Sequence, residues 1–426
     1  MSRDDRFRTP KGVHDVLPPD SARWIEIVAR FADRARRYGY GLAITPMFEH
    51  VEVFQRVGEH TDVVAKEMYE LTDKGGRKLA LRPEGTASVV RAYVQHRPTP
   101  PWKVWYVAPN FRYERAQKGR YRQHWQLGVE ALGVDDPDID VEVIALLAGF
   151  YRDLGLTDVR LLLNSMGDAQ TRPVFVAALR DHFLRHGDAL GDEFRARVEA
   201  NPMRVLDSKV EEWQDVIESA PQLPEHLSDA AAEKFERVQA GLLALRIDVE
   251  LAPRLVRGFD YYTGTTFEFQ TAALDAAQSA IGGGGRYDGL AEEFGGPPTP
   301  GIGFGTGLER IVIALDALEV SVPVAGTEVF VVDGLGDDAG TVIGSLVEDL
   351  RTEGFAVERA YGGRSVKAQW KAADKSGAMV TVMVGRDERQ RDAVAVKVLA
   401  TGEQVEVTRT GLVAWLMSRK EDQREP

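Results

Sequence analysis

Between Trp102 and Gly133 the chain carries two strand-forming runs, WKVWYVAPNFRYER and HWQLGVEALG, with only AQKGRYRQ between them. A connection this short returns a strand antiparallel to its partner, because a parallel neighbour needs a crossover of a dozen or more residues. The pattern has a counterpart upstream. EMYELTD, a KGGR turn and KLALRPEG read as another hairpin. Antiparallel pairing is therefore the expectation for this part of the chain.

Around these hairpins the periodicity predicts a helix over 20–38, with Trp24, Ile27, Val28 and Phe31 on one face. A short strand is expected over 41–50, ending at or near Pro46, with a helix over 139–154 and a strand over 159–163. From about 168 to 245 the chain turns helical, rich in Ala, Glu and Arg, which suggests an inserted subdomain. Strands resume at Val249 and in LVRGFDYYTGTTFEF (255–269), and a helix is expected over 307–318. SVPVAGT (321–327) reads as a linker. Beyond it strands (329–332, 356–359, 379–384) alternate with helices (340–352, 364–375), the pattern of a small α/β domain. The segment SRKEDQREP at the end reads as a charged, disordered tail.

Composition excludes several chemistries. The chain has no cysteine, so thiol nucleophiles, disulfides and cysteine-ligated zinc are ruled out. The stretch MSRDDRFRTPKG has no apolar core and does not read as a signal peptide, and no apolar run approaches membrane length, so the cytoplasm is the expected location. The net charge of −13 opposes nucleic-acid binding on average, so any such contact must come from local basic patches.

Two patches stand out. FRYERAQKGRYR (111–122) sets Arg112, Arg115, Lys118, Arg120 and Arg122 against the single acid Glu114, with a loop tip at 117–119. Arg364, Lys367, Lys371 and Lys375 follow steps of three and four, which place them on one helical face. Either could be a solvated surface or a phosphate contact. IGGGGRYDGL and GIGFGTGLERI contain neither GxGxxG nor a P-loop, so neither a dinucleotide fold nor a Walker-type NTPase is indicated. Their glycines allow close approach of backbone to a ligand or to packed strands. Glu84 and Thr86 in LRPEGTA could bind a ligand amine or cap the following helix. His182 and His186, four apart but without a third ligand, read as structural. In LVRGFDYYTG, Arg257, Asp260, Tyr261 and Tyr262 crowd beside Gly258 against a strand, a composition foreign to a solvated loop.

The order of these segments carries more than any one of them. Pro46, LRPEGTA, FRYERAQKGRYRQHWQLGVE, LVRGFDYYTG, GGGGRYDGL and GIGFGTGLERI together closely resemble the histidyl-tRNA synthetases, a family of class II aminoacyl-tRNA synthetases. YGGRSVKAQWKAADKSGA extends the resemblance into that family's anticodon-binding domain. The resemblance implies an α+β fold: a six-stranded antiparallel sheet flanked by helices (1–325, with the helical insertion at about 168–245), an α/β anticodon-binding domain (326–420) and a tail (421–426). It implies ATP-dependent activation of L-histidine, with Mg²⁺ sharing the phosphates, followed by transfer to the 3′ end of tRNA-His by a homodimer whose interface lies around Pro46.

It also implies roles. Arg257 and Arg112 would be catalytic on the ATP α-phosphate and border the histidine, and Arg310 would meet the γ-phosphate. Glu130 and Tyr262 would read the imidazole, a carboxylate taking its donor nitrogen and a phenol giving to its acceptor. Tyr261 would line that pocket, and Glu84, Thr86 and Gln126 would hold the α-amino group. Arg115, Gln117 and Lys118 would contact the tRNA acceptor end. Arg364, Lys367, Lys371 and Lys375 would form the anticodon-domain basic face. The chain departs from the family pattern at Ala116 (commonly Pro), Tyr113 (often His) and His124 (commonly Phe, stacked on adenine), with Trp125 adjacent to the last. The rival implication is a non-charging paralogue acting as a regulatory or sensing subunit, which typically lacks the C-terminal domain and part of the catalytic set.

Overall fold

Trp102–Phe111 and Gln123–Leu132 pair antiparallel over their whole length, Trp102 opposite Leu132 and Phe111 opposite Gln123. The structure, a computed structural model, describes every residue except 1–6, 59–60, 207, 209, 257–260, 275–278, 337–338, 340 and 423–426. It forms two units, residues 1–323 and 324–426.

The strands of the first unit are β1 (Gly41–Leu42), β2 (Phe48–His50), β3 (Tyr69–Thr72), β4 (Lys78–Leu81), β5 (Trp102–Phe111), β6 (Gln123–Leu132), β7 (Val159–Ser165), β8 (Val249–Leu251), β9 (Thr263–Thr271), β10 (Ala280–Arg286) and β11 (Gly301–Gly307). Eight of them form one sheet in the order β1-β5-β6-β11-β10-β9-β7-β8. Its six inner strands are antiparallel, and the short edge strands β1 and β8 lie parallel to β5 and β7. β2, β4 and β3 form a separate three-stranded sheet.

Alternation sets the two faces of the large sheet, since successive side chains on a strand point opposite ways. Leu127, Val129 and Ala131 of β6, Ile302 and Phe304 of β11, and Phe267 and Phe269 of β9 face one way. They are buried under the helices Asp20–Arg37 and Pro137–Asp153. Phe31 of the first helix meets Phe150 of the second edge-on at 5.0 Å and Phe304 of the sheet at 6.1 Å. Each such ring contributes about 1.5–3 kcal/mol by burial. The intervening residues, among them Tyr106, Asn110, Gln126, Gly128, Glu130, Gly303 and Gly305, face the other way, and that face carries the site.

The block after β7 contains the helix Thr171–Ala200, broken at Gly191 (φ 87°), the short helix Gln214–Glu218 and the helix Asp229–Ala244. Phe175, Leu179, Phe183, Phe194, Trp213 and Leu223 give it a core of its own. In the second unit, β12 (Val329–Asp333), β13 (Val357–Arg359), β14 (Val380–Val384), β15 (Ala393–Val398) and β16 (Gln404–Thr408) form a sheet ordered β13-β12-β14-β15-β16. The first three strands are parallel and the last two antiparallel.

Three expectations need correction, and one pair of segments had none. The segment 41–50 is not one strand: β1 and β2 belong to different sheets, and Pro46, which has no N–H for a ladder, lies between them. The two glycine-rich segments, given no secondary structure above, are the central strands β10 and β11. Arg364 is not on its helix, which runs Val366–Ser376 behind a Ser365 cap, so only Lys367, Lys371 and Lys375 share the helical face. The end of the chain is helical from Leu412 to Asp422, with Leu416 buried and Lys420 Nζ 2.6 Å from Glu328, so residues 421 and 422 are not tail. The rest of that segment lies outside the described residues.

β11 survives its glycines because the space beside them is taken. A Cβ built on Gly303 would sit 1.8 Å from Oε2 of Glu130 and 2.4 Å from the Val129 carbonyl oxygen. Gly303→Ala should therefore lower the thermal midpoint by several degrees, the overpacking costing about 1–3 kcal/mol. Gly326→Ala, with nothing within 4 Å, should leave it unchanged. Equal midpoints for the two variants would show that the sheet can open at Gly303.

Candidate functional site

Glu130 stands at the centre of the open face and has no solvent exposure. Three hydroxyls from three elements converge on its carboxyl. Thr86 Oγ1, at the start of the helix Thr86–His96, lies 2.7 Å from Oε1, and Tyr106 Oη, from β5, lies 3.3 Å from the same atom. Tyr287 Oη, just past β10, lies 2.5 Å from Oε2. Burial pushes the Glu130 pKa up to about 8 against the pull of these hydroxyls, and the neighbouring Glu84 adds to the rise.

Glu84 is buried beside it and accepts hydrogen bonds from the backbone N–H of Thr86 (2.6 Å) and of Ala87 (2.7 Å). The helix-capping role open in the sequence is thus present. Tyr261 packs on Tyr262 at 4.6 Å and on Tyr287 at 6.0 Å. These groups make a small polar chamber of two carboxyls, several phenols and a hydroxyl, suited to a ring that has one donor and one acceptor nitrogen. Tyr106 and Tyr287 were not singled out in the sequence. Their signal lay in the glycines: the Tyr106 ring occupies the space beside Gly128 and Gly85, and Tyr287 that beside Gly301.

Next to the chamber opens a cleft of about 480 Å³, lined by Arg112, His124, Gln126, Glu309 and Arg310 among others. Arg112 Nε donates to the Pro83 carbonyl (2.9 Å), and its Nη1 lies 3.8 Å from Glu114. Arg310 donates from Nε to the Gly119 carbonyl (3.2 Å) and from Nη1 to that of Ala280 (2.5 Å). His124 is held neutral: burial, then Arg112 and Arg310, bring its pKa down to about 3. Its neighbour Trp125 lies on the other side of the strand, packed in the core with Trp24 edge-on at 6.3 Å, so of the two rings it is His124 that faces the cleft. Asn110 Nδ2 donates to Gln126 Oε1 at 2.7 Å and fixes that amide.

Glu309, passed over beside Arg310 in the sequence, accepts the Trp125 N–H with both oxygens (2.9 and 3.0 Å) and so ties its own helix, Leu308–Ala317, to β6. Burial lifts its pKa to about 7.

The basic loop closes on itself, with paired backbone bonds between Gln117 and Arg120. Arg122 stacks on the Tyr113 ring at 3.9 Å, which gives that departure a role. Arg120 lies 3.6 Å from Glu114. Arg115, Gln117 and Lys118 are exposed. In the second unit Arg364, Lys367, Lys371 and Lys375 are exposed as well, and the helix carrying the lysines packs through Gln369 and Ala373. His182 Nε2 is 3.0 Å from the Val216 carbonyl oxygen, which gives it a structural partner. Arg257 falls within 257–260, outside the described residues, and so does Asp260.

Comparison with known proteins adds a second line. The family model described as histidyl-tRNA synthetase matches residues 12–311, and the one described as anticodon binding domain matches 329–419. A histidine–tRNA ligase of Anoxybacillus flavithermus is 46% identical over 411 residues, 94% of this chain and 96% of its own. One from Streptomyces coelicolor is 47% identical over 420 residues, 97% and 98% of the two chains. The crystal structure of apo Staphylococcus aureus histidyl-tRNA synthetase superposes with a TM-score of 0.82 at 35% identity, covering 96% of this chain and 99% of that one.

The chamber has a testable pH signature. The folded Glu130 pKa of about 8 lies above the ordinary 4.5, so between those values the folded state keeps a proton that the unfolded state releases. Its contribution to stability is complete below the lower value and lost as pH rises through the upper one. Glu130→Gln, which cannot ionise, should gain thermal midpoint relative to wild type between about pH 5 and about pH 9. A difference that stays flat across that range would mean that Glu130 is ionised throughout.

Proposed function

The chain belongs to the histidyl-tRNA synthetase family, and from that premise we propose that it is a histidine–tRNA ligase whose amino-acid site is the Glu130 chamber and whose ATP site is the adjoining cleft. The observation that supports this division is the placement of a buried carboxyl ringed by hydroxyls beside a cleft lined with guanidinium groups.

Histidine enters with its imidazole between Glu130 and Tyr262, and its α-amino group meets Glu84, Thr86 and Gln126. Discrimination follows from pairing: an amino acid without ring nitrogens leaves buried polar groups unpaired, a penalty of roughly 10⁴-fold or more in similar sites. The substrate carboxylate then attacks the α-phosphorus of ATP, a P–O bond forms, and the bond to the β,γ-pyrophosphate breaks. Charge grows on the α-phosphate oxygens, where Arg112 and Arg257 donate, and Arg310 holds the γ-phosphate. His124 lies against the adenine. As a neutral ring it stacks without adding charge.

Mg²⁺ prefers carboxylate and phosphate oxygens; Glu268 and Glu309 line the cleft, and the bound metal would share the charge of the phosphates. In the second step a hydroxyl of the terminal tRNA adenosine attacks the histidyl carbonyl and AMP leaves. Arg115, Gln117 and Lys118 guide the acceptor end, while Lys367, Lys371 and Lys375, with Arg364 beside them, meet the tRNA through the second unit.

The exposed apolar residues Leu42, Ile44, Met47 and Phe48 around Pro46 support a homodimer, and sedimentation at a single-chain mass would remove it. No helix among the described residues is long and apolar enough to cross a membrane, and cytoplasmic work is part of this proposal. The match to an anticodon-binding domain counts against the regulatory alternative.

The deciding experiment is ATP–pyrophosphate exchange without tRNA, run with each of the twenty amino acids singly. Exchange with histidine alone is expected. Histidine binding without exchange would instead favour the regulatory paralogue. Changing Lys367 and Lys371 to Gln should spare that exchange while weakening tRNA binding and flattening its salt dependence, by up to about one unit of slope for each lysine that neutralises a phosphate. An unaltered slope would make this helix a solvated face.

A further inference from the structure

The helical insertion has its own core, yet it meets the site at two side chains. Tyr262, of the amino-acid chamber, packs against that core. Arg204, of the insertion, lines the cleft with Arg112, Arg120 and Arg310. Among the described residues of the block from 168 to 245, it alone lines the cleft.

The placement of Arg204 is built from its neighbours. It belongs to a 3₁₀ turn, Pro202–Val205, opened by Asn201, whose Oδ1 accepts the Met203 N–H at 3.1 Å. The Arg204 N–H donates to the Asn201 carbonyl at 3.0 Å. Pro202, Met203, Val205 and Leu206 are buried, while Arg204 is only partly so. Apolar side chains on both sides thus sink into the insertion and fix the turn, and the one cation in it is left at the cleft. Within the cleft Glu114 lies near both Arg112 and Arg120, and Arg310 is held by two carbonyls. A triphosphate brings several more negative charges, and a planar guanidinium offers paired donors to phosphate oxygens.

We infer that Arg204 is a ligand of the outer phosphates of ATP, so that the insertion takes part in adenylation through this one side chain. The inference deepens the proposed ATP site and rests on it. Arg112 takes the α-phosphate and Arg310 the γ-phosphate in that reading, and Arg204, lining the same cleft, adds a further guanidinium for the outer phosphates.

The test uses the full chain and direct binding of Mg-ATP and of AMP by calorimetry. Arg204→Ala should weaken ATP about tenfold or more and leave AMP unchanged, with Arg204→Lys in between. Arg197→Ala, which removes a cation lying over Trp213 elsewhere in the insertion, should alter neither. Equal weakening of ATP and AMP, or of neither, would overturn the inference, the former marking Arg204 as mere support for the cleft. Unchanged ATP binding with impaired tRNA charging would reassign it to the acceptor end. Histidine-dependent exchange by the wild type tests the adenylation reading separately, so the two can fail independently.

Discussion

A carboxyl group in the middle of a sheet is expensive. Left without partners, it costs several kcal/mol in desolvation, and it either takes up a proton or collects hydrogen bonds. Glu130 does both: its pKa is raised to about 8, and hydroxyls from Thr86, Tyr106 and Tyr287 surround it. Those three side chains come from a helix start, a strand and a strand end. One group therefore fixes the relative placement of three elements. The sheet accommodates it with glycine: Gly303, directly opposite Glu130 in the ladder, leaves the room that the carboxyl fills.

The same strand serves two ends. Odd-numbered residues of β6 from Trp125 to Ala131 fill the hydrophobic core, and even-numbered ones, from His124 to Glu130, build the site. A slip of one residue in the β5–β6 or β6–β11 register would place Glu130 in the core and Val129 in the chamber, so folding register and chemistry are specified together. Glu309 reinforces this register from outside the sheet by gripping the Trp125 N–H, which faces His124 into the cleft and its neighbour Trp125 into the core.

Much of this was legible in the sequence, for physical reasons. The β5–β6 and β3–β4 hairpins announced themselves through short connections, and the helix Asp20–Arg37 through its periodic apolar face. β10 and β11 did not, because glycine reads as a breaker. Strand propensity reflects how a side chain packs on a pleated surface, and here the packing is supplied by neighbours that lean across the bare backbone. Tyr106, Tyr287 and Glu309 escaped for a related reason: each acts through a partner far along the chain, and spacing cannot reveal such a pairing. Arg364 was misplaced by one turn signal, the Ser365 cap, which starts the helix after it. Arg112 stood out in the local basic patch and Arg310 only through the ordered motifs, and the cleft brings them together with His124.

Arg112 sits at the seam between chamber and cleft, and its electrostatics reach both. Its Nε is anchored on the Pro83 carbonyl, one residue before Glu84. Its positive charge opposes the rise that burial imposes on the Glu84 pKa, and it helps keep His124 neutral. The two effects suit opposite needs: an ionised carboxylate attracts an ammonium group, whereas an uncharged imidazole can lie against a purine without repelling the guanidinium groups around it. A lysine in the same place would keep the charge but lose the fork that can hold a carbonyl and still face a phosphate. The join between the two pockets therefore depends on the shape of Arg112 as much as on its sign.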